Sequence, residues 1–180
     1  TIVSRTVDPL ESAVVSVGSF QAGTTHNIIP DTAQLKGTVR TFREEVRDSV
    51  EQKLHQAAEQ VAAGYGTEVE VDYQRNVPAV VNDEQLTAVV RSAAEEILGK
   101  EAVVTAPRTT ASEDFSLYQR EVPGCFFWAG VGNKEKGIDK GWHHPEFDVD
   151  EAALPSAAAV LAKTADTTLR RLQERAGQKG

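Results

Sequence analysis

Residues 33–64 read AQLKGTVRTFREEVRDSVEQKLHQAAEQVAAG, a strand pattern followed at once by a long helix pattern. In residues 33–42 the spaced apolar side chains indicate a half-buried strand. Thr41 and Glu44 match a capping box, and the helix is predicted to end at Gly64. The apolar residues between these points recur at helical spacing and predict one buried face. They are Val46, Val50, Leu54, Ala57 and Val61.

Patterns on either side of this stretch predict a small plait. Residues 1–7 are typical of the end of a helix, stopped by the following Asp-Pro pair. Residues 12–20 and 67–73 alternate apolar and small or polar side chains, which predicts two further strands. The order is therefore helix, strand, strand, helix, strand. One strand ahead of it would complete a ferredoxin-like plait, so the sequence predicts a truncated one.

The second part of the chain has a different organisation. A helix is predicted over residues 82–99, opened by Asn82, and a short strand over residues 102–104. Residues 124–131 form a continuous apolar run, the pattern of a strand buried on both faces. Asp150 can cap a last helix, which begins either with a separate first turn or near Pro155.

The change of pattern near residues 78–82 predicts two domains, residues 1–78 and residues 79–180. The first is an α+β plait and the second is an α/β segment. The predicted fold class of the chain is therefore α/β.

Composition excludes several classes of protein. The 180 residues are 40% hydrophobic and 26% charged, an ordinary globular composition, with a net charge of −8. That acidity argues against nucleic acid and anionic membrane surfaces as partners. No apolar run approaches the length of a membrane span. The lone Cys125 excludes a disulfide framework and suits a reducing compartment, so we expect a cytoplasmic protein.

Two loops carry candidate chemistry. Residues 143–147 read HHPEF, and a loop histidine after a buried strand is a common metal-ligand position. Neighbouring side chains on an extended segment point opposite ways, so at most one of His143 and His144 faces a given metal. Two solvated histidines are the alternative. Ser112 and Glu113 in the run SEDF suit acid–base or metal chemistry, or else the first turn of a helix capped by Ser112.

Two residues of the first domain are further candidates. Asn27 lies in the run NIIP and can donate an amide hydrogen bond, although such a run is also an ordinary turn. Arg40 ends a predicted strand and can bind a substrate carboxylate through two hydrogen bonds, or form a surface salt bridge. Cys125 lies in a buried run and is expected in the core.

Five short stretches then occur in an order that resembles a known family. The chain is similar to the C-terminal half of the metal-dependent aminoacylase and carboxypeptidase G family. The nearest branch is that of hippurate hydrolase, N-acyl-L-amino acid amidohydrolase and the plant auxin-conjugate hydrolases. The stretches are NIIPD (27–31), GTVRTF (37–42), ASEDF (111–115), PGCFF (123–127) and HHPEF (143–147).

The resemblance implies a particular division of labour along the chain. Residues 1–78 would be the lid, or dimerisation, domain without its first strand. Residues 79–180 would be the closing segment of a zinc-exopeptidase-like catalytic domain. The family's other metal ligands, its general base and an oxyanion-stabilising histidine would lie before Thr1. The chain would then hold at most one ligand of a centre of two divalent metals (zinc, manganese, cobalt or nickel), and by itself would be inactive.

The resemblance also implies roles for single residues. His143 matches a metal ligand of the family. Asn27 matches an asparagine that reaches substrate, and its oxyanion, across the dimer. Arg40 matches the arginine that binds the substrate carboxylate, and Ser112 and Glu113 match the loop that lines the substrate side.

These roles predict a metal-dependent amidohydrolase that cleaves N-acyl amino acids to a carboxylic acid and an amino acid. The whole protein would be a homodimer through its lid domain. Two alternatives are a dimerisation module and a small-molecule-binding module, both without catalysis. The HHPEF and SEDF loops argue against the binding module, which has no use for them.

Overall fold

The computed structural model describes residues 2–177. Thr1 and residues 178–180 lie outside the described residues. Thr1 belongs to the predicted first helix, and residues 178–180 belong to the predicted second domain. The chain forms two compact units. Unit 1 has the bounds Thr1–Ala79 and Thr109–Asp114, and unit 2 has the bounds Val80–Arg108 and Phe115–Gly180. The return of residues 109–114 to unit 1 is a feature that the sequence did not predict.

A two-stranded antiparallel sheet forms the centre of unit 1. Strands β1 (Ala13–Ala22) and β2 (Ala33–Thr41) pair in the positions that alternation predicts, which confirms both strands. The register shifts between Val17 and Ser19, where β1 carries a bulge. Opposite this bulge, a Cβ on Gly37 would lie 2.4 Å from the Ser16 carbonyl oxygen. Only glycine fits there, so the strand GTVRT depends on it.

Helix α2 (Glu44–Gly64) packs against β2 and against the short helix α1 (Ile2–Thr6). Its Val50 is 1% exposed and is the best buried apolar side chain of unit 1. The predicted capping box is wrong. Thr41 is still paired in β2, so the N-cap position falls on Arg43, which makes no side-chain cap bond.

The segment after α2 is extended but unpaired. The predicted strand at residues 67–73 is wrong, because no strand among the described residues pairs with it. Side chains hold the segment to α2 instead. Arg75 forms ion pairs with Glu51 and with Asp48, the latter at 2.6 Å, and these hydrogen bonds raise the pKa of its guanidinium. Arg47 lies 3.5 Å from the Val77 carbonyl oxygen.

Two long helices form the core of unit 2. Helix α3 (Glu84–Leu98) packs against helix α5 (Leu154–Gly177). The Asp83 carboxylate caps α3 by accepting the Leu86 N–H at 2.9 Å, so the predicted start at Asn82 is wrong by one residue. The buried apolar residues of this pair are Val89, Val90, Ala93 and Val160.

Both predicted alternatives for the start of α5 are observed together. A separate turn at Glu151–Ala153, capped by Asp150, precedes the helix. The helix then accommodates Pro155 in its first turn, where proline costs no hydrogen bond. Asp150 therefore caps the separate turn rather than the helix, and the helix itself begins at Leu154, next to Pro155.

The predicted strands of unit 2 are wrong. Residues 103–104 and 124–131 are extended without a ladder, and the described part of unit 2 has only an isolated bridge between Asn133 and Ile138. Helix α4 (Phe115–Glu121) begins within the predicted loop. The second domain is therefore helical with extended segments in this structure. Within residues 2–177, no helix combines the length and apolar character needed to cross a membrane.

Candidate functional site

Arg40 lies near the end of β2, opposite Val14 of β1. Its side chain is half-buried, and Nη1 donates a 2.8 Å hydrogen bond to the Thr110 carbonyl oxygen. Among residues 2–177 no carboxylate lies within ion-pair distance of it. The salt-bridge alternative is therefore not observed. A guanidinium has five N–H donors, so most of them are available for an anion.

The contact with Thr110 joins Arg40 to the loop that carries Ser112 and Glu113. All four residues belong to unit 1. Ser112 is exposed and Glu113 is half-buried, and α4 begins only at Phe115. Ser112 is therefore not the N-cap of that helix, which removes the alternative role for it. The structure brings three of the predicted site residues to one end of the hairpin.

Asn27 lies at the other end of the hairpin. It is exposed in the loop of residues 23–32, and its Oδ1 accepts a 3.0 Å hydrogen bond from the Thr25 hydroxyl. From Ala33, where the ladder begins, β2 runs seven residues to Arg40. At the rise of an extended strand this distance is about 20 Å. Within one chain, Asn27 and Arg40 therefore lie at opposite ends of the hairpin.

His143 belongs to a long loop of unit 2 whose ends are tied together at Asp150. The Asp150 N–H donates to the Val131 carbonyl oxygen at 2.8 Å. Its carboxylate accepts hydrogen bonds from Lys136 at 2.7 Å and from Asn133 at 2.6 Å. These bonds, with one from the Ala152 N–H, lower the Asp150 pKa from 3.8 to about 2. Loops with such closed ends are compact and frequently functional.

The backbone at His143 is left-handed, with φ of 63°. The His144 N–H donates to the Gly141 carbonyl oxygen at 3.2 Å, which places His143 third in a four-residue turn. His143 is the one non-glycine residue of the described chain with positive φ, so Trp142 has negative φ. This is the pattern of a type II turn, whose third position favours glycine. A histidine there carries strain of order 1–3 kcal/mol, as is common at functional sites.

The two neighbouring histidines have different surroundings. The Nδ1 atom of His144 accepts a 3.1 Å hydrogen bond from the Glu146 N–H. The His143 imidazole is exposed and forms no hydrogen bond or ion pair with the described residues. Both of its nitrogens are therefore available, and His143 is the better donor for a metal.

The described residues do not hold a metal centre of their own. No group of three or more histidine, cysteine, aspartate or glutamate side chains within residues 2–177 is placed to bind a metal ion. A protein metal site needs three or four ligands. His143 fits a metal only as one ligand among others.

Sequence reasoning missed how the loops are held. Asp150 was expected only as a helix cap, yet it also anchors the loop of His143. Trp142 attracted no prediction, although its ring stacks on Trp128 with 4.5 Å between centroids. The partners of Asp150 are Asn133, 17 residues earlier, and Lys136, 14 residues earlier. Sequence spacing alone cannot pair an acid with residues so far away.

Comparison with known proteins identifies the family. Residues 6–167 match the model of peptidase family M20/M25/M40, and the chain belongs to this family. It is 40% identical over 169 residues to the N-acetyl-L-cysteine deacetylase of Bacillus subtilis, covering 94% of the chain and 39% of that protein. It is 32% identical over 163 residues to the N-acetyldiaminopimelate deacetylase of Brevibacillus brevis, covering 91% and 42%.

A solved structure supports the fold. A Bacillus subtilis protein described as a dinuclear metal binding peptidase from the M20 family superposes with a TM-score of 0.77 at 38% identity. The match covers 94% of this chain and 44% of that one. The mixture of helices and a small antiparallel sheet is therefore a piece of an M20 fold. The chain spans 39% to 43% of the length of the curated relatives it matches.

The Asp150 anchor leads to a pH-dependent prediction. Because the folded pKa is depressed, the carboxylate adds stability that is complete above pH 3.8 and is lost as pH falls toward 2. We expect Asp150→Asn to lower the free energy of unfolding by a constant amount between pH 7 and about pH 5. The difference from the parent protein should then shrink below about pH 4. Urea unfolding at several pH values measures it.

Asp148→Asn is the matched control for this prediction. Asp148 lies in the same loop and accepts only the N–H of its neighbour Val149. Its replacement should leave the pH profile of stability unchanged. A destabilisation by Asp150→Asn that is the same at pH 3 and pH 7 would contradict the ionic anchor.

Proposed function

We propose that the protein containing this chain is a metal-dependent amidohydrolase. It cleaves an N-acyl amino acid to a carboxylic acid and a free amino acid, in the cytoplasm, with two divalent ions (zinc, manganese, cobalt or nickel). The observation that carries the proposal is His143, a strained histidine with both ring nitrogens available. Membership of the M20 family and the deacetylase names of the relatives support it.

His143 would supply one ligand to that metal centre. When bound, a divalent metal polarises the amide carbonyl and favours hydrolysis at neutral pH. The chain's own contribution is to present an exposed imidazole on a fixed turn. The loop anchor at Asp150 limits the motion of that turn, because Lys136 and Asn133 hold both ends of the loop together.

Arg40 would bind the carboxylate of the amino acid. Its guanidinium is half-buried, held from one side by the Thr110 carbonyl, and has no carboxylate partner among residues 2–177. A planar guanidinium matches a carboxylate through two parallel hydrogen bonds. Ser112 and Glu113, on the loop that Arg40 contacts, would line the same substrate.

Unit 1 would be the lid and dimerisation domain, a plait without its first strand. In that topology the first strand pairs with the last one. The extended segment at residues 67–73, which has no partner among the described residues, fits this expectation. Val71 and Tyr73 of the segment are half-buried and Asp72 is exposed, as in a strand on a helical layer.

A homodimer through unit 1 would explain why Asn27 lies far from Arg40 of its own chain. The hairpin exposes three large apolar side chains that water does not favour: Val17, Phe20 and Leu35. Since Asn27 lies in the loop beyond the Ala33 end of β2, which is about 20 Å from Arg40, it would serve the substrate of a second copy. Its amide would donate to the oxyanion that forms there.

The identity of the acyl group is the most detailed part of the proposal. The resemblance favours the branch of hippurate hydrolase, N-acyl-L-amino acid amidohydrolase and the plant auxin-conjugate hydrolases. The relatives named above are deacetylases of N-acetylated amino acids. Both groups share an amino acid carboxylate, which is the part that Arg40 would recognise.

Replacement of His143 tests the proposal directly. We expect His143→Ala in the whole protein to lose bound metal and more than about 100-fold in turnover, since even outer-shell partners of metal ligands cost about 10- to 100-fold. Elemental analysis after gel filtration measures the metal, and hydrolysis of N-acetylated amino acids measures turnover.

His144→Ala is the control, because His144 is the adjacent imidazole and its Nδ1 is already hydrogen-bonded. It should keep its metal. Full metal content and normal turnover in His143→Ala would overturn the ligand assignment.

Replacement of Arg40 tests substrate binding. Loss of a charged hydrogen-bonding partner should raise KM for an N-acyl amino acid by about 10- to 100-fold, with a smaller effect on kcat. A substrate analogue whose amino acid carboxylate is replaced by a carboxamide should be hydrolysed equally by Arg40→Ala and the parent enzyme. Arg43→Ala is the control, because Arg43 forms only exposed ion pairs with Glu11 and Glu45. An unchanged KM in Arg40→Ala would refute the role.

Mixed dimers test the position of Asn27. Asn27→Ala and His143→Ala chains are each expected to be inactive, and their mixture should regain up to half of the activity per mixed dimer. In such a dimer, the site with an intact His143 receives Asn27 from the other copy. A mixture as inactive as its components, with exchange of subunits shown by mass, would place Asn27 in its own chain's site.

A further inference from the structure

Five aromatic side chains of unit 2 form a continuous row, which we call the aromatic ladder. Neighbouring rings contact each other along it, with centroids 4.5–6.1 Å apart. The tightest contact is the last one, a stack of two indoles at 4.5 Å with 26° between their planes. In spatial order the members are Tyr118, Phe115, Phe126, Trp128 and Trp142.

One part of the aromatic ladder is firmly held. The backbone of Phe126 is bonded twice by the Asn82 side chain, at 2.7 Å and 2.8 Å. The rings of Phe126 and Trp128 are nearly perpendicular, with 5.1 Å between their centroids. Trp128 is therefore supported by a residue that is fixed next to the start of α3, and it offers its face to Trp142.

The other end of the aromatic ladder is the residue before His143. Trp142 is 54% exposed, so burial contributes less to its position than in a core residue. It occupies the second position of the turn in which His143 is left-handed. The hydrogen bond that closes this turn is 3.2 Å long, at the weak end of the normal range. A strained conformation persists only when its surroundings determine it.

We propose that the stack of Trp142 on Trp128 positions His143 for metal binding. Holding the indole fixes the peptide between Trp142 and His143, and so the direction in which the imidazole leaves the turn. Trp142 and Trp128 are positioning residues, since neither has an atom that could bind the metal. The inference rests on the proposed role of His143 as a ligand.

Metal affinity, measured in the whole protein by equilibrium competition with a chelator, tests the positioning role. We expect Trp142→Ala and Trp128→Ala to weaken metal affinity by about 10- to 100-fold, the range found for residues that orient metal ligands. Trp142→Phe retains a ring that can stack and should restore most of the affinity. The exciton-coupled circular dichroism band of the stacked indoles should disappear in all three variants, because each removes one indole.

Tyr118→Ala is the matched control. Tyr118 is the exposed far end of the aromatic ladder and loses a ring of similar size, but it does not contact the loop of His143. It should keep the parent affinity for metal. Urea unfolding of each variant separates affinity from stability. If Trp142→Ala does not fold, Trp142→Leu keeps apolar bulk without stacking and carries the same test.

The results distinguish the two proposals. If His143→Ala loses metal and Trp142→Ala binds metal as tightly as Tyr118→Ala does, the positioning role of Trp142 is wrong and the ligand role of His143 stands. Trp142→Ala could instead change the KM for substrates with different acyl groups and leave the metal affinity unchanged. That result would also overturn the positioning role and would indicate that Trp142 contacts the substrate. If His143→Ala keeps its metal, both proposals fall. Weaker metal binding in the two tryptophan-to-alanine variants, at parent stability, supports the inference.

Discussion

The carboxamide of Asn82 donates to the Phe126 carbonyl at 2.7 Å and accepts the Phe126 N–H at 2.8 Å. Both backbone groups of that residue are thus satisfied by one side chain, where a sheet would use a neighbouring strand. Gln119 bonds the same region, since its amide donates to the Gly124 carbonyl at 3.1 Å. The two bonds of Asn82 hold Phe126 in place. Phe126 in turn supports Trp128 and, through the proposed stack, the turn at His143.

Unit 1 depends on a comparable constraint. A bulge in β1 brings the Ser16 carbonyl within 2.4 Å of where a Cβ of residue 37 would lie, so that residue must be glycine. The ladder continues past this point to Arg40, whose guanidinium then meets the Thr110 carbonyl. A side chain at Gly37 would shift the strand, and the position of Arg40 with it.

Local patterns were sufficient for the elements that satisfy their own hydrogen bonds. The helical spacing of Val46 to Val61 and the alternation in β1 and β2 are properties of short windows, and the predicted elements were found there. Residues 67–73 and 124–131 have equally good strand patterns, but a strand also needs a partner. Neither segment has one among residues 2–177, and no local pattern records that.

The candidate site shows the same limit. The types of residue at positions 40, 112, 113 and 143 marked them as candidates, and the family resemblance supplied their roles. The sequence could not show that Arg40 meets the loop of Ser112, because that contact joins residues 70 positions apart. It could not show the left-handed backbone of His143 either, since few non-glycine residues adopt it and the stacking that accompanies it is tertiary.

The separation between Arg40 and Thr110 has a consequence for biosynthesis. A hairpin and a helix form within microseconds once their residues are available, so β1, β2 and α2 can fold early. The ribosome adds about 5–20 residues per second, and the partner of Arg40 is therefore made several seconds to more than ten seconds later. Throughout that interval the guanidinium lacks the carbonyl that orients it. Arg40, the proposed carboxylate-binding residue, is thus among the last parts of unit 1 to reach its final position on the nascent chain.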